Sequence, residues 1–330
     1  VSDLIPVKRV NLDLPERLQE STLDYLEAAV SGNTRRAYEG DWKRFVGWCT
    51  QEGRQPYPAR SDTVLAFLAD MADKGLAPTT ISRMKSVIKA AHVKTDQIDP
   101  TQDPRVSSML KGIKKTRGHR AKKAAPILVA DLNRGVQLVP DTLRGLRDKA
   151  MVLLGFAGAL RRSEVVNIDV ENLERLVGAI DDDGEHLPDA LHVYISRSKG
   201  DREASGTQVT VFGATNKDVC PINTLYEWLA AAKILSGPTF LEMRGNRIMP
   251  RRASDQAVNK AVKDFVKRLG YDTAQYSGHS LRTGAITEMD RAGRTSSEGR
   301  RHSRHKSEEA YDGYVQRFNP WKDHPMRGIL

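Results

Sequence analysis

The sequence predicts a mainly α-helical chain of two domains, the second carrying a small antiparallel β-sheet. Three observations lead there. Apolar residues recur at helical spacing through most of the chain, as amphipathic helices require. Two short stretches, 191–196 and 207–212, alternate with period two instead and flank a polar, glycine-containing turn, the pattern of a hairpin. Between two helical regions lies the stretch 117–126, RGHRAKKAAP, which is almost without apolar side chains and ends in proline. A length of 330 residues also suits two domains, at about 150 residues each.

The elements follow in order. Residues 1–18 contain Pro6 and Pro15 and little periodicity, and are expected to form an arm. Leu18, Leu23, Leu26 and Val30 mark a first helix. After the break at 31–34, with Asn33 or Thr34 suited to cap, Tyr38, Trp42, Phe45, Val46 and Cys49 make one apolar stripe. Ser61 or Asp62 is expected to cap a third helix with Val64, Phe67, Leu68 and Met71 inward. Pro78 opens a fourth, burying Ile81, Met84, Val87, Ile88 and Ala91, and a fifth runs over 104–116. A helical domain thus spans 19–117, a basic linker 118–126, and the second domain 127–330. There, helices are expected from Asp131, over 143–160, 221–235, 254–269 and 279–292, and over 307–315.

Composition narrows the function. The longest apolar run, 150–160, falls short of the roughly 20 residues a bilayer span needs. The first 18 residues hold no apolar stretch of a secretory signal. Two cysteines, Cys49 and Cys220, do not make a disulfide framework or a cysteine-rich zinc module, and they suit a reducing, cytoplasmic setting. Lys and Arg number 52 against 42 Asp and Glu, a net charge of +10. The surplus is clustered. From Arg83 to Lys123 there are twelve Lys/Arg against three Asp/Glu, and from Arg294 to Lys306 five against one. Clustering of that kind is the footprint of a polyanionic partner.

The polar residues each have an ordinary reading when taken singly. Arg161 and Arg162 after an apolar helix suit the negative end of its dipole. His279 and Arg282, three apart, would make a surface pair. Lys199 would decorate a hairpin turn, and Tyr314 would pack in the core. Their joint order is more telling: Arg161 and Glu164, then Lys199 in a hairpin, then His279-x-x-Arg282, then His305, then Tyr314 nine residues on.

This order resembles the tyrosine site-specific recombinases, the phage integrase family, and most of all its Cre-like members. The segments SGHSLRTGA from Ser277, MDRAG from Met289, Arg197-Ser-Lys199 and RHKS from Arg304 carry the likeness, which spans about 20–320. His305 stands where some members have tryptophan. The nucleophile is doubled in the sequence, because His302 precedes Tyr311 by the same nine residues; the interval from Arg282 favours Tyr314. Arg161 is preferred to Arg162 because Glu164 then lies three residues on.

The resemblance implies a SAM-like N-terminal core-binding domain, an integrase-type catalytic fold, and DNA strand transfer without metal, ATP or other cofactor. Arg161 and Arg282 would offer planar forks to the non-bridging phosphate oxygens, where charge gathers in the transition state. His279 and His305 would add hydrogen bonds, and His279 would accept the proton of the Tyr314 phenol, a weak nucleophile while neutral. Lys199 would protonate the leaving 5′-oxygen, and Glu164 would orient Arg161 or His279. Attack would leave a 3′-phosphotyrosine, and two rounds of exchange would pass through a Holliday junction. The partner implied is double-stranded DNA with inverted-repeat sites, two protomers on each and a homotetramer in the synapse, in a bacterial, phage or plasmid setting. Arg35, Arg36, Lys43, Arg83, Lys85 and Lys89 are the candidate groove-facing residues; Arg117, Arg120, Lys122 and Lys123 would follow phosphates along the linker. The tail from Phe318 to Leu330 would dock on a neighbouring protomer. Telomere resolvases and type IB topoisomerases share this chemistry, and an architectural DNA-binding protein would share the basic clusters without it.

Overall fold

A computed structural model of the chain describes residues 32–118, 123–180, 182–184, 186–196 and 206–315. The expected arm over 1–18, the helix from Leu18 to Val30, Arg120, Lys122, Lys199 and the tail from Phe318 lie outside the described residues. The chain divides into two compact units, Val1–Ala121 and Lys122–Leu330.

The N-terminal unit is helical throughout its described part. Helices α1 (Gly32–Gln51), α2 (Ser61–Asp73), α3 (Pro78–Val93) and α4 (Pro104–Arg117) enclose one core. The core is aromatic at its centre: the Phe45 ring meets those of Phe67 at 5.0 Å and Trp42 at 5.6 Å, and Trp48 meets Phe67 at 5.4 Å. Such tilted and edge-on pairs add to what burial alone contributes. Trp48 is turned by its one polar atom, since its Nε1 donates to Asp70 Oδ2 at 2.9 Å. The inward residues of α3 are those its periodicity marks: Ile81, Met84, Val87, Ile88 and Ala91 are at most 1% exposed. Helix α4 starts where Asp103 Oδ1 accepts from Arg105 N at 2.9 Å, with Pro104 in the first turn, where its missing N–H costs nothing. The start of α2 departs from expectation: Arg60 occupies the cap without a side-chain bond, and Ser61 and Asp62 are already helical.

The C-terminal unit is built on α6 (Leu143–Ala157), whose Ala150 to Leu154 are at most 2% exposed, so the helix is covered on every side. It packs against α8 (Pro221–Ala232), α9 (Asp255–Arg268) and α10 (His279–Arg291). Strands β1 (Leu173–Leu176), β2 (Ala190–Ile195) and β3 (Thr207–Phe212) form an antiparallel sheet in that order, with Leu191 opposite Val211 and Val193 opposite both Leu173 and Val209. Leu191, Val193 and Ile195 face the core while Tyr194 faces out, the period-two pattern of a half-covered sheet. A separate hairpin pairs β4 (Leu241–Arg244) with β5 (Arg247–Arg252). Among the described residues no helix is long and apolar enough to cross a membrane, and Cys49 and Cys220 are buried free thiols.

Several boundaries differ from the sequence reading. Helix α6 ends at Ala157 rather than at residue 160, because Gly158 and the left-handed Ala159 (φ 45°) turn the chain. Helix α8 ends at Ala232, where Lys233 takes φ 55°. The helix expected from Asp131 is α5 (Val129–Val136), and Asp131 instead accepts from Leu128 N at 2.9 Å to cap it. The last helix, α12 (Glu308–Asp312), is shorter than 307–315. Strands β1, β4 and β5, the short α7 (Arg162–Val166) and α11 (Ser296–Ser303) were not anticipated. One glycine explains a close approach that positions the site. A Cβ on Gly284 would sit 1.8 Å from the Ile127 carbonyl oxygen, so only glycine lets the segment after the linker run against α10.

Candidate active site

Two stretches of chain meet at one buried carboxylate. Glu164, on α7 and 1% exposed, accepts from Arg161 N at 2.9 Å and Arg161 Nη1 at 2.6 Å. It also accepts from Arg304 Nη2 at 2.8 Å. Burial would raise the Glu164 carboxyl, but Arg304 and Arg161 outweigh it and hold the group below its ordinary range. A buried carboxylate is stable only with such partners.

Arg282 lies beside this pair and is fully buried. It donates through Nη1 to the Ala159 carbonyl at 2.6 Å and through Nη2 to the Ser303 carbonyl. Its Nη2 also lies 3.1 Å from His305 Nε2. The left-handed turn at Ala159 presents the carbonyl that Arg282 uses. Arg282 Nε is buried with no hydrogen-bond partner. Burial lowers the affinity of this guanidinium for its proton, and the charges of Arg161 and Arg304 lower it further.

His305 follows Arg304, which closes α11 in the left-handed conformation (φ 59°). Ser303 Oγ donates to the Gly299 carbonyl at 2.6 Å and lies 2.8 Å from His305 Nδ1. Burial, then Arg282, Arg161 and Arg304 push the imidazole down to about 4, so it is neutral at pH 7.

Tyr314 stands over this cluster. Its ring centre is 4.8 Å from that of His305, 6.5 Å from that of His279 and 5.7 Å from the Arg282 guanidinium carbon. His279, the first residue of α10, is exposed at this edge. The structure therefore brings together Arg161, Glu164, His279, Arg282, His305 and Tyr314 from separate stretches of chain.

Both duplications in the sequence have distinct surroundings. Tyr314 is half-buried at the cluster, whereas Tyr311 is 2% exposed and its hydroxyl is buried without a partner. Gly299 makes the room for that hydroxyl, since a Cβ there would lie 1.9 Å away. His302 faces the Ala157 carbonyl at 2.8 Å. Arg161 faces Glu164, while Arg162 Nε pairs with Asp255 at 3.0 Å.

The candidate DNA-contact residues are less uniform. Arg35, Arg36 and Lys43 are exposed on α1. On α3, Lys85 is half-buried and Lys89 approaches Asp99 at 3.9 Å. Arg83, exposed on α3, also binds the buried Asp41 through Nε at 2.7 Å and Nη2 at 3.2 Å, tying α3 to α1. Arg117 pairs with Asp73 at 2.9 Å, and Lys123 is exposed.

Arg304 was missed as a site residue. The sequence showed it only as the first letter of the RHKS string, and nothing local marks a left-handed cap whose side chain turns inward. Four acceptors hold it there: Glu164, and the carbonyls of His302 at 3.0 Å, Gly158 at 3.2 Å and Ala159 at 3.4 Å.

Comparison with known proteins agrees with this geometry. Residues 23–93 match the family described as "Phage integrase, N-terminal SAM-like domain". The chain is 31% identical to the integrase/recombinase xerD homolog of Selenomonas ruminantium, over 97% of this chain and 92% of that protein. It is 25% identical to the recombinase cre of Escherichia phage P1, over 88% of this chain and 84% of that protein. The solved structure of the XerH site-specific recombinase bound to palindromic difH substrate has a TM-score of 0.58 at 13% identity, over 84% of this chain and 75% of that one, a likeness of fold.

Proposed function

The chain belongs to the tyrosine recombinase family, and from that premise we propose that it is a site-specific recombinase that cuts and rejoins DNA through a 3′-phosphotyrosine at Tyr314. The observation that carries this reading is the convergence of Arg282, His279 and His305 on that tyrosine, with the charge of Arg161 beside Arg282.

A phosphodiester resists attack because its anion repels the nucleophile and the transition state gathers further charge. Fixed cations in a site screened from water stabilise that charge strongly. Arg161 and Arg282 bring two such charges to the tyrosine, and Glu164, neutralising only part of the cluster, leaves it net positive. The guanidinium carbon of Arg282 lies 5.7 Å from the Tyr314 ring centre, and its buried Nε has no hydrogen-bond partner. His305 would serve the phosphate through an N–H, because the non-bridging oxygens of a phosphodiester only accept. His279, exposed at the edge of the tyrosine, is placed to take the phenol proton. The role of Lys199 as acid for the 5′-oxygen rests on the sequence resemblance.

The same reading gives the wider reaction. The phosphotyrosine conserves the energy of the broken bond, and a 5′-hydroxyl of a second duplex reverses the step, so exchange needs no ATP or metal. Two rounds give a Holliday junction within a homotetramer, each inverted-repeat site holding two protomers. The exposed cations of α1, with Arg83, Lys85, Lys89, Arg117, Arg120, Lys122 and Lys123, supply phosphate contacts, and the cytoplasm is the setting.

The test uses a duplex site selected by the protein itself from a random library, nicked so that cleavage releases a short strand and traps the adduct. Wild-type protein forms a covalent protein–DNA adduct and Tyr314→Phe does not. An adduct from Tyr314→Phe, or none from wild type, overturns the reading. Exchanged sites, hairpin ends or relaxed circles then tell recombination from its chemical relatives.

A further inference from the structure

We infer that Arg304 is a positioning residue: it holds Glu164 away from a two-pronged grip on Arg161 and so keeps Arg161 available to the phosphate. The inference rests on the phosphoryl-transfer reading above and assigns a duty to a residue for which the resemblance implies none.

The geometry is specific. Glu164 has two carboxylate oxygens and no access to water. Oε1 accepts only from Arg161 Nη1, at 2.6 Å. Oε2 accepts from Arg161 N at 2.9 Å and from Arg304 Nη2 at 2.8 Å. A carboxylate facing a guanidinium prefers two parallel N–H bonds. Here the second oxygen is already occupied, so Arg161 is held by one prong, and its Nε and Nη2 carry no bond to Glu164. Arg304 is itself fixed by the His302 and Gly158 carbonyls, 3.0 and 3.2 Å away, and its side chain is 8% exposed. Glu164 is its one carboxylate partner; it also shares the Ala159 carbonyl with Arg282 and adds its charge beside Arg282 and His305.

Removing Arg304 leaves Oε2 with the Arg161 backbone N–H as its one donor and room for a second. Arg161 then swings into the bidentate arrangement and is lost to the substrate. Taking the charge off Glu164 in the same chain releases Arg161 again. A residue that merely fills space predicts no such rescue. Glycine is the natural replacement, because residue 304 has φ 59°, a conformation glycine adopts without strain.

The experiment measures single-turnover adduct formation by the full chain at saturating nicked duplex, with duplex affinity measured alongside. Arg304→Gly should slow the step by at least about tenfold, as expected within one ionic network, with affinity unchanged. Arg304→Lys, which keeps a donor for Oε2, should recover part of the rate. The double variant Arg304→Gly with Glu164→Gln should react no more slowly than Glu164→Gln alone. Wild-type rate in Arg304→Gly, or a double variant slowed by the product of the two single effects, overturns the inference. The double variant leaves no buried carboxylate stranded without Arg304, so its comparison with Glu164→Gln still decides if Arg304→Gly alone fails to fold. Failure of wild type to form any adduct instead sinks the phosphoryl-transfer reading, which the Arg304 series does not touch.

Discussion

On α1 of the N-terminal unit the cations stand on the surface, with Arg36 and Lys43 exposed, and further along the chain Arg117 pairs with Asp73, which is also exposed. In the C-terminal unit Arg282 and Arg304 lie inside, donating to backbone carbonyls and to a carboxylate that is itself 1% exposed. Exposed cations are screened by salt and individually contribute little to stability. Buried ones cannot move without leaving a charge or a carbonyl unmet. One chain thus divides its positive charge between attraction and geometry, and the two uses fail differently when a residue is removed.

The strongest test of that contrast pairs Arg282→Gln with Lys43→Ala. Arg282→Gln should lower single-turnover adduct formation by about 10²–10³, the scale for losing a fixed donor to transition-state charge, with duplex affinity nearly unchanged. Lys43→Ala should leave the saturated rate at the wild-type value. Equal losses of rate in the two variants would erase the distinction between the units.

A smaller effect sharpens it from the other side. If Lys43 meets a phosphate, Lys43→Ala weakens binding alike across sequences and reduces the slope of log affinity against log salt by about one. Arg83→Ala belongs to the other class although it lies in the same unit. Its partner Asp41 is only 7% exposed as a side chain, so the loss strands a buried carboxylate. Thermal melts should show Arg83→Ala clearly lower than Lys43→Ala. Matching melting temperatures would mean that the Arg83–Asp41 bond does not hold α1 to α3.

The same contrast explains what the sequence could reveal. The α1 and α3 stripes were legible because burial there follows helical periodicity: Trp42, Phe45, Ile81 and Met84 face one core. Arg161, Glu164, His279, Arg282, His305 and Tyr314 were legible through order and spacing, since each works from a fixed place in the chain. The β1 and β4 strands were not, because LERL and LEMR are four residues long and half polar, and RIMPRR in β5 holds a proline and three arginines. Arg304 was hidden for a different reason. Whether an arginine turns in or out at a left-handed cap depends on Glu164, 140 residues earlier, which no local pattern can reveal.

Protonation gives a gentler test of burial in the C-terminal unit. His305 is pushed down to about 4 from an ordinary 6.5, chiefly by burial and then by three arginines. Burial lowers His302 as well, beside the Ala157 carbonyl and the charges of Arg304 and Arg282. Between about 4 and 6.5 the unfolded chain therefore takes up protons that the folded chain refuses, and stability falls as pH falls through that window. A melting temperature followed from pH 7 to 4.5 should decline, and His305→Gln should flatten part of the decline. An unchanged slope in His305→Gln would show that the imidazole is not held neutral by this cluster.

Tyr311→Phe is expected to have the smallest effect, and it separates the paired tyrosines. Its hydroxyl is buried without a partner against Gly299, so it already bears the desolvation cost of an unsatisfied polar group, about 1–3 kcal/mol when no bond forms. Removing that oxygen leaves the ring's edge-on contact with His305 in place, 5.9 Å between centres. Tyr311→Phe should melt at or slightly above the wild-type temperature and form adduct at the wild-type rate. A loss of adduct in Tyr311→Phe would move the nucleophile to the earlier register and detach Tyr314 from the chemistry. A marked drop in melting temperature with adduct intact would mean that the hydroxyl has an ordered water for a partner and that this corner of the core is wet.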